Sequence, residues 1–67
     1  MSVARITTLS ANSPTSFEAA VKEGVERASK TLRGVSGAWV KDQKVEIEDG
    51  AVVAWHVVLE VTFVLED

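Results

Sequence analysis

A small α+β domain of order β-α-β-β is the fold this sequence predicts. Three patterns predict it: a β-branched opening stretch, one apolar stripe at helical spacing, and two long extended runs joined by Asp49-Gly50. The 67 residues leave room for a single domain, taken as residues 1–67.

The first element is a strand over Val3 to Leu9, where Val3, Ile6, Thr7 and Thr8 surround one charge, Arg5. Ser10-Ala11-Asn12-Ser13-Pro14 then reads as a turn. Ser13 is placed as the helix N-cap and Pro14 as the first helical residue, where its missing N–H costs nothing. Phe17, Ala20, Val21, Gly24, Val25, Ala28 and Leu32 repeat as one face of a helix. Gly24 weakens a helix by about 1 kcal/mol relative to Ala, so its place on that stripe implies close approach to a sheet. Glu18–Lys22, Glu23–Arg27 and Glu26–Lys30 are helix-supporting charge spacings. Arg33 suits the last turn and Gly34 a C-cap.

Two extended runs follow, Gly37 to Glu48 and Ala51 to Leu65. A two-residue turn at Asp49-Gly50 pairs Glu48 with Ala51, Gln43 with His56 and Trp39 with Glu60. In the last strand, Val53, Trp55, Val57, Leu59, Val61, Phe63 and Leu65 form an almost wholly apolar face that packs on the helix, with Trp55 as a packing residue. Gly37, Trp39, Gln43, Val45, Ile47 and His56 are expected on the opposite face. One helix covers one face of a sheet, so the second must meet other subunits or a ligand.

Composition narrows the function. A domain of this size buries only about 60% of its unfolded surface and needs a disulfide, a metal or a partner. The sequence has no cysteine and one histidine, which excludes disulfides, a cysteine-type zinc site and a His-rich metal site within one chain. Oligomerisation is therefore the expected source of burial. Seven basic and ten acidic residues give a net charge of −3, which opposes non-specific nucleic-acid binding. No signal peptide and no membrane-length apolar run is seen, and a cytoplasmic location is expected. Glycine-rich phosphate loops, triad spacings and metal motifs are missing, so an enzyme is not expected.

Four stretches carry a resemblance to a known family. They are Ser13-Pro14-Thr15-Ser16-Phe17-Glu18-Ala19-Ala20, Arg27-Ala28-Ser29-Lys30-Thr31-Leu32-Arg33, Asp42-Gln43-Lys44-Val45-Glu46-Ile47 and Val61-Thr62-Phe63-Val64-Leu65-Glu66. In this order the sequence resembles the dodecin family over nearly its whole length. The resemblance implies a three-stranded antiparallel sheet wrapped partly around one helix, a homododecameric hollow shell, and storage of a flavin such as FMN or riboflavin without turnover. It also implies site positions. Gly37 stands where flavin-binding dodecins carry a stacking tryptophan, and His56 where they carry a glutamine that hydrogen-bonds the flavin edge. Both residues depart from that pattern.

Trp39 lies two residues beyond Gly37 on the same strand face, about 7 Å along the strand, and offers a replacement stacking surface. His56 is the expected hydrogen-bonding group, and Gln43 the residue that orients its ring across the strands. The candidate ligand residues are therefore Trp39, His56, Gln43 and Gly37, with no metal site assigned. Asp42, Glu46, Glu48 and Asp49 offer hard oxygen ligands near the hairpin tip without EF-hand spacing. The alternative function is a structural dodecin-type assembly that binds no flavin and takes up calcium or anions.

Overall fold

The computed structural model describes residues 3–65. Strand β1 (Val3–Ser13) is followed by helix α1 (Phe17–Thr31) and by a long hairpin of β2 (Val35–Glu48) and β3 (Ala51–Leu65). The three strands form one antiparallel sheet in the order β1-β3-β2, so the fold is the expected β-α-β-β.

β1 runs four residues past the expected end at Leu9, and the expected turn at residues 10–14 is mostly strand. The reason is its partner: β3 offers an unbroken edge, and Ser10, Ala11, Asn12 and Ser13 pair with Val58, Val57, His56 and Trp55. The helix cap shifts accordingly, from Ser13 to Ser16. Extended Ser16 accepts a hydrogen bond at Oγ from Ala19 N, 3.0 Å away, which satisfies one of the free N–H groups of the first turn. Ser13 is buried and its Oγ accepts from Thr15 N at 3.0 Å, closing the turn that precedes the helix.

The helix ends at Thr31, with Leu32 as an extended C-cap whose N–H donates to Ala28 O. Arg33 and Gly34 therefore lie beyond it. Gly34 has φ +73° and leads the chain into β2: its carbonyl accepts from Val64 N at 2.9 Å, and a Cβ there would sit 2.8 Å from Val64 O. Asp49 and Gly50, at φ +50° and +77°, make the two-residue turn with both central residues left-handed.

Val57, Leu59 and Val61 of β3 are buried beneath Ala20, Gly24 and Ala28 of α1, with Leu9, Ala11, Phe17, Val21, Val25, Leu32 and Val35 around them. Each fully buried Val or Leu contributes about 1.5–3 kcal/mol. Gly24 permits this contact, since a Cβ on it would lie 2.9 Å from Leu59 Cδ1 and 3.2 Å from Ala11 Cβ. Trp55 lies on this side of the sheet but beyond the buried cluster, and is half-buried.

The helix has 15 residues, a length of about 22 Å at 1.5 Å per residue. The molecule is 52 Å long, so the helix covers only part of one sheet face. The chain exposes 5098 Å², against about 4,100 Å² for a compact monomer of its mass. Its radius of gyration of 13.8 Å likewise exceeds the about 11 Å of a compact chain of this length.

Candidate functional site

The candidate site is built on the face of the sheet that the helix leaves open. Residues paired across antiparallel strands share a face, so the register defines its rows. Asn12, His56 and Lys44 make one row; Ser10, Val58 and Asp42 the next; Thr8, Glu60 and Trp39 a third; Ile6, Thr62 and Gly37 a fourth. Glu46, paired with Ala54, extends the face toward the hairpin tip. Trp39, 60% exposed, and Ile6, 53% exposed, stand on it without cover.

Gly37, Trp39 and His56 thus share one face, as expected. Gln43 does not join them. A bulge at Val53 shifts the pairing, so that Gln43 faces Val57 and Lys44 takes its place opposite His56. Gln43 and Val45 consequently lie on the helix side, and alternation along β2 carries Ile47 with them. A second irregularity, at Lys41, restores the expected pairing of Trp39 with Glu60. The bulges explain how one expected pair fails while those on either side of it hold. Gln43 is therefore not opposite His56 as expected, although it still lines the groove beside the ring.

The side chain that approaches the His56 ring is Glu46. Its Oε1 lies 3.2 Å from His56 Nε2, with the imidazole 25% exposed and the carboxylate 54% exposed. That contact falls outside hydrogen-bonding geometry, and Nε2 itself is buried without a partner. A buried nitrogen left in this condition is costly, by about 1–3 kcal/mol. An open groove of about 430 Å³ runs past the ring, lined by Ser10, Asp42, Gln43, Lys44, His56, Val57 and Val58. Ser10 and Asn12 escaped notice in the sequence because a Ser/Asn/Pro cluster reads as a turn. The signal that could have found them is the length of β3, whose edge needs a partner out to Trp55.

Gly37 has open space around it, with no atom within 4 Å of where a Cβ would stand. Along β3, the row of Trp39 lies four residues from that of His56, about 13 Å at strand rise. Among the described residues, no three His, Asp or Glu side chains converge as a metal-binding group. Among the described residues, no helix is long and apolar enough to cross a membrane.

The arrangement defines a class of protein: a short α+β chain with one helix-covered sheet face and one open face bearing an indole, an imidazole and a polar groove. The chain belongs to the dodecin family, whose model matches residues 3–66. The dodecin from Streptomyces coelicolor is 38% identical, with a TM-score of 0.91 over 98% of this chain and 94% of that one. A variant of the Thermus thermophilus dodecin is 36% identical, with a TM-score of 0.92 over 100% of both chains. A calcium dodecin from Mycobacterium tuberculosis, a calcium-chelating immunodominant antigen with its own calcium-binding site, is 29% identical, with a TM-score of 0.81 over 96% of this chain and 91% of that one. No curated protein matches the chain.

Proposed function

We propose that this chain forms a dodecin-type homo-oligomer, most simply the family's hollow dodecamer, that binds and stores a planar flavin such as FMN or riboflavin without turning it over. The observation that carries this is the exposed Trp39 indole on the same uncovered face as the unpartnered His56 Nε2. An indole presents a large π-surface to a flat ring. An imidazole nitrogen donates to a ring carbonyl or accepts from a ring N–H, according to its tautomer. The about 13 Å between their rows supports a site whose two contacts come from different copies of the chain and that assembly completes. Gly37, with nothing beside it, leaves room next to Trp39 instead of supplying a stacking ring.

The excess exposed surface supports the assembly. It is about 1,000 Å² beyond a compact monomer of this mass, comparable to the area that specific interfaces bury. A second function is favoured by one observation, the missing side chain at Gly37: a structural dodecin-type assembly without flavin that takes up calcium or anions. Light scattering combined with an absorbance spectrum of protein purified without added ligand, then titrated with FMN, separates the two. The expected result is a large species with flavin absorbance or saturable FMN quenching. A large species that leaves FMN unquenched would favour the second function, and a folded monomer would overturn both.

A further inference from the structure

We propose that Glu46 and His56 form a proton-operated latch on the ligand groove, so that flavin is held near neutral pH and released on acidification. This rests on the groove serving as a flavin site. His56 lines the groove, and its Nε2 is buried and has no hydrogen-bond partner. The Glu46 carboxylate is poised 3.2 Å away and misaligned, and it is exposed enough to turn. Two acceptors therefore compete for one nitrogen: the Glu46 carboxylate and a polar atom on the edge of the ligand.

The charge on the imidazole decides between them. Neutral His56 holds Glu46 by a weak polar contact that a ligand can displace. Protonated His56 makes a charge-assisted pair with Glu46, roughly twice as strong as a neutral hydrogen bond. Breaking that pair to admit the ligand then opposes binding. The proton favours the ligand-free state, so affinity falls as pH drops through the range where imidazoles protonate.

The charged groups around the ring are few. On β2, Lys44 lies directly opposite His56, with Glu46 and Asp42 on either side of it. On β3 itself, Glu60 lies four residues along the same face. β1 contributes only the uncharged Asn12 and Ser10 to these rows, and α1 packs on the other side of the sheet. Glu46 is the one carboxylate within 4 Å of the ring among the described residues. His56 is also the sole histidine of the chain, so an imidazole titration in this protein has one source.

The test is a riboflavin titration of the full-length assembled protein between about pH 8 and pH 5.5, with light scattering at each pH to establish that the assembly persists. Riboflavin is chosen over FMN because it has no phosphate that titrates in this range. One linked proton weakens binding by up to about tenfold per pH unit at the acid end. Glu46→Gln is expected to bind riboflavin at neutral pH with most of this pH dependence gone, and whatever affinity His56→Gln retains is expected not to vary with pH. By reciprocity, saturating riboflavin moves the His56 ring proton titration, followed by NMR, to lower pH. Affinity that is flat across the range, or that falls equally in Glu46→Gln, overturns the latch and leaves flavin binding standing. No riboflavin binding by the parent at any pH overturns the flavin site and the latch together.

Discussion

Two glycines three residues apart show how differently the fold uses the same residue. Gly34 sits at φ +73° with Val64 O where a Cβ would be, whereas Gly37 has empty space around it. Gly34→Ala should therefore lose about 1–3 kcal/mol of stability through a strained backbone and a steric clash. Gly37→Ala should stay within about 0.5 kcal/mol of the parent. Chemical denaturation at matched protein concentration measures both, and equal losses would contradict the geometry. The sequence made Gly24 legible because a glycine on an apolar stripe has few explanations other than close packing. The role of Gly34 was only half legible. A glycine after a helix reads as its cap, and only the contact with Val64 shows that it serves the entry to β2. The open-face positions of Trp39 and His56 were legible from alternation, but not the Glu46 contact, which depends on a bulge.

At the scale of elements, the helix stripe, the long hairpin and its Asp49-Gly50 turn were all legible, because each depends on a short, periodic signal. Element ends were not. Ser13-Pro14 and Ser16 are both sound helix-start signals, and the choice fell to tertiary pairing, which drew Ser13 into β1 opposite Trp55. Ser16→Ala should lower stability by about 1 kcal/mol, since it removes the acceptor for Ala19 N. A denaturation midpoint unmoved by that change would show that the cap is replaced by water or by another side chain. The bulges were hidden for a physical reason: no glycine or proline marks Val53 or Lys41, and one residue of slip exchanges the two faces. That slip moved Gln43 to the helix side and brought Lys44 onto the open face.

At the scale of the whole molecule, which is 52 Å long, the small core beneath one short helix leaves one face of the sheet and part of the other without cover. Val58 lies at the middle of that open face, half-buried between Ser10 and Asp42. Val58→Asp would place an uncompensated charge in the interface proposed there, at a cost of several kcal/mol per site. The large species should be lost in light scattering, leaving material near the 7.2 kDa of one chain; an unchanged assembly would show that this face remains in solvent.

The central claim is that this open face, with Trp39 in place of the family's stacking tryptophan, holds a flavin. FMN fluorescence titrated with the assembled parent and with Trp39→Ala tests it most directly. Stacking on an aromatic contributes about 1–3 kcal/mol, so the parent should quench FMN saturably while Trp39→Ala binds about ten- to a hundred-fold more weakly. Equal affinity in the two proteins, or no quenching by the parent, would contradict the claim.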